Sequence, residues 1–331
     1  MKRIFPEISV VIPVRNESAK IRACIDGILS QTVPVKEIIV VDSGSTDGTI
    51  EILKSYPIVK LVEIQPSEFN HGETRNFGVS KASGEFVLLT VGDARAFDNK
   101  WIEYLLEGFD EATVAGVCGQ QVVAHDRETN PVEWFRPSGA ATKKKFVFTK
   151  EEFTSLNPAA KKEACGWDDV TAMYRTEVLK KIPFRRTSYS EDALWAKDAL
   201  MAGHTIVYNT AARVYHYHNE DRDFSFKRAF TTMYMRYKYL DYVTGPPKRN
   251  LRGTLSIVKT ILKSNPLTSK EKWYWLKYNL DQFKAIKEAQ KEFENALSQG
   301  EKKLEITHEK WCGKPPIPLK KNIVRNEQPV S

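Results

Sequence analysis

The amino-terminal part of this 331-residue chain alternates short apolar runs with amphipathic stretches, and this alternation limits the fold more than any other feature. Ile8 to Val14 (ISVVIPV) and Glu37 to Val41 (EIIVV) are rich in β-branched residues, as strands covered on both faces require. Between them, SAKIRACIDGILSQ puts Ile21, Ile25, Ile28 and Leu29 on one helical face. The pattern continues with a helix from Asp47, read as its N-cap, to Ser55, and then the strand IVKLVEI. A helix after Gly72, the strand EFVLLTV, a helix from Asn99 to Phe109 and the strand VAGVCGQQVV follow. Such alternation predicts an α/β fold with a mainly parallel sheet between helices.

In that architecture, ligands sit outside the carboxyl ends of the strands. Those ends read PVRNES, DSGSTDGT, QPSEFNHGETRN and TVGDARAFD, more polar than turns require. We expect them to wall a ligand cleft, with Asp42 placed to accept hydrogen bonds from a base or ribose. The alternative for SGSTDGT is a Ser/Gly turn leading to a capping Asp47. Neither G-x-G-x-x-G nor a P-loop is present, which argues against those nucleotide pockets.

Charge divides the chain. Residues 1–225 carry 28 Lys and Arg against 32 Asp and Glu, whereas residues 226–331 carry 22 against 10. This predicts two domains, 1–225 and 226–331, the second a basic, aromatic helical extension ending in a loose Pro- and Lys-rich tail from Cys312. No run reaches the ~18 apolar residues of a spanning helix. Pro6, Glu7 and Pro13 break the apolar start, so a signal peptide is not expected. Cys24, Cys118, Cys165 and Cys312 lack zinc or disulfide spacing, which fits a reducing cytoplasm. The acidic first two-thirds argues against nucleic-acid binding.

SVVIPVRNE, IIVVDSGSTDGT, GETRNFG, GEFVLLTVGDA and SEDALWAKDALMAGHTIVY together resemble the family 2 inverting glycosyltransferases of GT-A (Rossmann-like) fold, over about residues 7–220. FNHGETRNFG and VYHYHN are most similar to rhamnosyltransferases of bacterial surface polysaccharide assembly. The resemblance implies a nucleotide-sugar donor, deoxythymidine-diphosphate-rhamnose (dTDP-rhamnose) favoured and a UDP-sugar as alternative, with a glycan or lipid-linked glycan acceptor. It implies that Pro13, Arg15, Glu17, Asp42 and Ser45 hold the donor and that Arg75 lies near the diphosphate. The bland reading of Arg75 is an ion pair with Glu73 or Glu68. Asp192, with Glu191 beside it on a helix capped by Ser190, is implied as the general base; acids also decorate helix starts for stability alone.

Relatives carry Asp-x-Asp where this chain has Val91-Gly92-Asp93. A divalent metal, Mg²⁺ or Mn²⁺, is implied on Asp93, and His216 and His218, on one face of a strand, are candidates to complete its site. GWDDVTAMYR is implied to shape the acceptor side through Trp167, Asp168 and Asp169, with a core Trp as the alternative for Trp167. Residues 124–165, containing KKKF, are expected to form an insertion loop. The missing first Asp motivates a second reading, a catalytically lapsed relative that binds glycan or a partner enzyme.

In the last third, Phe226, Phe230, Met233, Tyr234 and Tyr237 recur at helical spacing among Lys and Arg. This predicts either an anionic-membrane face, placing the protein peripherally on the inner face of a bacterial membrane, or a packing face. EKWYWLKYNL opens a long helix, its charged far end suited to solvent or homo-oligomer contacts.

Overall fold

The structure, a computed structural model, describes residues 5–134, 140–245 and 251–313. The expected loose tail lies outside the described residues beyond Gly313. The chain runs β1 (Ile8–Val14), α1 (Ile21–Leu29), β2 (Glu37–Asp42), α2 (Thr49–Lys54), β3 (Val59–Glu63), α3 (His71–Ser80), β4 (Phe86–Leu89), β5 (Arg95–Ala96), α4 (Trp101–Leu106) and β6 (Val114–Val122). It continues with β7 (Lys143–Phe146), α5 (Lys150–Ser155), α6 (Pro158–Ala164), β8 (Ala172–Arg175), α7 (Thr176–Lys181), α8 (Glu191–Met201) and β9 (Thr205–Tyr215). Four further helices follow: α9 (Arg222–Leu240), α10 (Leu251–Lys263), α11 (Ser269–Ser298) and α12 (Glu301–Cys312).

Among the described residues, nine strands form one sheet in the order β3-β2-β1-β4-β8-β6-β9-β5, with β7 also on β9. β3, β2, β1 and β4 are parallel, as is the β6–β9 pair. β8 lies between β4 and β6, antiparallel to both, so the sheet is mixed. Period-2 geometry divides the core between its two faces. Ile8, Val10, Ile12, Ile38 and Val40 pack with the α1 stripe Ile21, Cys24, Ile25 and Ile28. Val11, Ile39, Val87 and Leu89 face the other way, toward Val79 of α3 and the Trp167–Trp195 cluster. Leu29, read as part of the α1 stripe, is 45% exposed.

The contacts divide the chain into two compact units. The first holds residues up to Tyr217 together with Met235–Tyr242; the second holds His218–Tyr234 and the chain from Val243 onward. The charge boundary at residue 225 falls inside α9 rather than in a linker. Within the second unit, Phe230 is fully buried and meets Phe293 at 6.0 Å, and Tyr234 stacks on His308 at 3.9 Å. Phe230, Met233 and Tyr234 are therefore packed within the protein, as the packing alternative expects, whereas Phe226 and Tyr237 are half-buried. KKKF is also corrected. It is the edge strand β7, not loop, and α5 and α6 follow it.

Candidate active site at the carboxyl edge of the sheet

Strand register places Val14 beside Asp42, so the loops after β1 and β2 leave the sheet together. They are tied reciprocally. Asn16, at φ 56°, donates its backbone N–H to Ser45 Oγ at 2.8 Å, and its Oδ1 accepts from Thr46 N at 2.8 Å. Glu17 N donates to Thr49 Oγ1 at 2.7 Å, and Ser18 N to Asp47 Oδ2 at 3.1 Å. Gly44 has φ 88°, and a Cβ there would come within 2.7 Å of Pro66, so only glycine suits the turn.

Asp42 is fully buried. Its Oδ1 accepts from Gly44 N and Ser45 N at 2.8 Å each, and Ser45 Oγ donates to Oδ2. The carboxylate expected to meet a nucleotide thus holds its own loop, an Asx-type turn. Asp47 likewise binds Ser18 and Thr49, while Gly48 occupies the N-cap position of α2. Pro13 and Glu17 are half-buried and Arg15 is exposed.

The loop after β4 brings Asp93 against this pair. A Cβ on Gly92 would sit 3.0 Å from both Val14 and Glu17, a close approach that glycine permits. Asp93 Oδ2 lies 3.3 Å from Lys20 Nζ, and Oδ1 lies 3.4 Å from His216 Nε2. Asp93, His216 and His218 can each offer one ligand atom, all within 4.8 Å of one another. The strand expected to carry both histidines ends at Tyr215; His216 N still donates to Val122 O at 3.1 Å, which fixes the start of the segment. One carboxylate and two imidazoles make a donor set that fits a divalent cation, with positions left for oxygen ligands.

Gln121 connects this cluster to the acceptor-side segment. Its Nε2 donates to Asp168 Oδ2, so its Oε1 faces His216 Nδ1 at 2.7 Å. The amide cannot be reversed, because that would set its oxygen against the Asp168 carboxylate. His216 Nδ1 then donates to Gln121 Oε1, which turns Nε2 toward Asp93. Sequence reading passed over Gln121. Its signal was the Gln-Gln pair ending an otherwise apolar strand.

The acidic residues form a second cluster. Arg75 is 5% exposed in the second turn of α3 rather than in a loop. It donates through Nη1 to Glu191 Oε1 and to His71 O, each at 2.9 Å, and its Nε lies 3.2 Å from Asp169 Oδ2. Its ion-pair partners are Glu191 and Asp169, neither Glu73 nor Glu68. Tyr174 Oη donates to Asp169, and Trp167 Nε1 donates to Tyr174 Oη at 2.6 Å. Trp167 is 5% exposed, with Trp195 at 5.3 Å and Tyr208 at 5.4 Å. It is a core residue, the alternative reading given for Trp167.

Ser190 adopts φ 63° and makes no side-chain cap, contrary to the capping expected of it. Burial pushes the Asp192 carboxyl well up from its ordinary value, and the negative charges of Glu191, Asp169 and Asp168 add to the effect. Burial likewise pushes Asp169 up to about 7, against the pull of Arg75. The arrangement sets two raised carboxyls, Asp192 and Asp169, beside the Arg75–Glu191 ion pair.

The family description "Glycosyl transferase family 2" matches residues 9–182. O-antigen chain rhamnosyltransferase WbaN of Salmonella anatum is 30% identical over 232 residues, 69% of this chain and 71% of the relative. The chain belongs to glycosyl transferase family 2. O-antigen chain rhamnosyltransferase RfbN of Salmonella typhimurium is 28% identical over 229 residues, 68% of this chain and 71% of that one. This family 2 transferase also resembles a solved Pyrobaculum calidifontis mannosyltransferase, PcManGT, in complex with GDP-Man and Mn²⁺. The TM-score is 0.54 at 18% identity, covering 93% of this chain and 85% of that one. Staphylococcus aureus TarS 1–349 in complex with UDP-GlcNAc gives a TM-score of 0.50 at 20% identity, covering 84% and 73%. The expected GT-A fold is present, as a mixed rather than mainly parallel sheet.

Proposed function

We propose that this family 2 transferase moves a deoxyhexose, rhamnose favoured, from a dTDP donor to a hydroxyl of a glycan or lipid-linked glycan, inverting the anomeric centre. The observation that carries the reading is the acidic cluster of Glu191, Asp192 and Asp169, in which Arg75 Nη1 lies 2.9 Å from Glu191 and Nε 3.2 Å from Asp169, and burial raises the Asp192 carboxyl. Asp192 takes the proton of the acceptor hydroxyl as that oxygen bonds to the anomeric carbon. The carbon–oxygen bond to the diphosphate breaks in the same step, and its electron pair leaves on the phosphate oxygen. A divalent cation held by Asp93, His216 and His218, Mn²⁺ better matched than Mg²⁺ to two imidazoles, would neutralise the departing diphosphate. Arg75 aligns Glu191 and Asp169, keeping Asp192 in place. Arg15 and Glu17, on the loop tied to the β2 end, line the donor side, and Asp168 lines the acceptor side.

The preference for rhamnose rests on the O-antigen rhamnosyltransferases WbaN and RfbN. A lapsed, binding-only relative is disfavoured, because His216 and His218 supply donors where the first Asp is missing. No described helix is long and apolar enough to cross a membrane, and we place the enzyme peripherally on an inner membrane face, where a lipid-linked acceptor is presented. The test is thermal shift with dTDP-rhamnose, UDP-glucose or GDP-mannose, with and without Mn²⁺ or Mg²⁺, followed by NMR of the product anomer. The largest shift is expected with dTDP-rhamnose plus Mn²⁺. Stabilisation by a UDP- or GDP-hexose alone, or a product with retained configuration, would overturn the reading.

A further inference from the structure

Helix α10 takes no part in the proposed reaction, yet its surface is distinctive. Leu251 is 75% exposed, Leu255 58% and Leu262 54%, and Val258 between them is half-buried. Their 4-3-4 spacing gathers them into an arc of about 60° at 3.6 residues per turn. Arg252, Lys259 and Lys263 are all exposed and lie about 80–120° from Leu251, along one flank of the stripe. No Asp or Glu occurs from Leu251 to Lys270. Ile261 is fully buried on another side, so the helix already has one apolar contact and carries a second apolar face in water. Elsewhere in the same unit, Trp273 is 73% exposed, whereas Trp275 is fully buried. Isolated exposed apolar residues are ordinary, but an aligned stripe with a basic flank is the composition of a helix lying in a membrane interface.

We propose that the α10 stripe of Leu251, Leu255, Val258 and Leu262, flanked by Arg252, Lys259 and Lys263, is a docking surface for anionic phospholipid. The charge decides between occupants. A two-fold contact between copies would bring two basic flanks together, with no acid on α10 to neutralise them. An anionic headgroup layer supplies the missing negative charge, and each Lys or Arg near the surface adds to the attraction. The leucines enter the headgroup–acyl boundary. This deepens the proposed membrane location and moves it from α9, whose Phe230, Met233 and Tyr234 are buried, to α10. It rests on that location, but vesicle binding is scored without donor or acceptor, so failure here leaves sugar transfer untested against, and failure of transfer leaves the surface standing.

The experiment is co-sedimentation of the full chain with phosphatidylcholine vesicles and with mixed phosphatidylglycerol–phosphatidylcholine vesicles, at low and high salt. The wild type should partition onto the anionic vesicles, less so in high salt. Leu255→Glu combined with Leu262→Glu should lower partitioning at least ~10-fold. Lys259→Gln with Lys263→Gln should remove most of the salt-sensitive part while leaving a residual apolar component. All four positions are exposed or flank the exposed stripe, and circular-dichroism melts check that each variant is folded. Wild-type partitioning by the folded glutamate variant, or no wild-type preference for anionic vesicles, would overturn the proposal. A wild-type dimer in light scattering that the glutamate variant dissociates, without vesicle binding, would assign the stripe to a second copy instead.

Discussion

At the scale of single residues, Asp192 and Gln121 separate two functions of one site. Asp192→Asn keeps the side-chain shape and removes the base. Turnover is expected to fall by ~10²–10⁴, with donor binding by calorimetry nearly unchanged. Near-wild-type turnover would remove Asp192 from the mechanism. Its carboxyl is raised, so the base form grows as pH increases through that value. The kcat/KM profile should therefore keep rising to a pH well above the ordinary carboxylate range, and a plateau reached near pH ~4 would contradict the geometry. Gln121 acts through His216. Gln121→Leu deletes the oxygen that accepts from Nδ1, and Mn²⁺ affinity by calorimetry is expected to weaken ~10–100-fold without loss of fold. An unchanged affinity would reduce Gln121 to packing. Asp192 was legible because an acidic pair stood in a motif. Gln121 was not, because its partners Asp168 and His216 lie 47 and 95 residues away.

At the scale of elements, Glu37 shows how the parallel strands are held at their starts. It is 3% exposed at the first position of β2 and accepts from Ser9 Oγ at 2.6 Å and from Ser83 N and Oγ at 2.8 Å each, with Lys60 Nζ as an ion-pair partner. Burial would raise its carboxyl, but Lys60, Ser9 and Ser83 outweigh that and hold it down at about 2. A depressed value stabilises the fold above the ordinary carboxylate range, and that stabilisation is lost as pH falls toward about 2. Glu37→Gln should cost about 1–3 kcal/mol in urea unfolding at neutral pH, and the difference from wild type should shrink on acidification. A pH-independent difference would point to packing alone. Strands β1, β2 and β6 were legible as elements because their apolar runs are long. Four-residue β8 and the lysine-rich β7 carry no such pattern; their pairing to β4, β6 and β9 is what makes them strands.

At the scale of the whole molecule, Cys24, Cys118, Cys165 and Cys312 are free and buried, and burial raises all four thiols, Cys165 to about 12. The native protein should react with a thiol reagent at least ~100-fold more slowly than the urea-unfolded chain, and its melting should not depend on reductant. Rapid labelling of a native cysteine would contradict this packing. The alternating apolar runs by themselves determined the α/β class, and the polar strand ends pointed to the carboxyl edge of the sheet, whereas the acids and histidines proposed for the site came from the motifs that carry the family resemblance. Those signals are local, set by period and composition within a few residues. Only the tertiary structure decided what each group faces. Asp42 turns onto its own loop, Arg75 is enclosed by Glu191 and Asp169, Trp167 joins the core, and α9 buries Phe230, Met233 and Tyr234 where α10 exposes leucines. These outcomes depend on partners tens of residues distant, and a burial pattern read along one element gives the same amphipathic signal whether its apolar face meets protein or water.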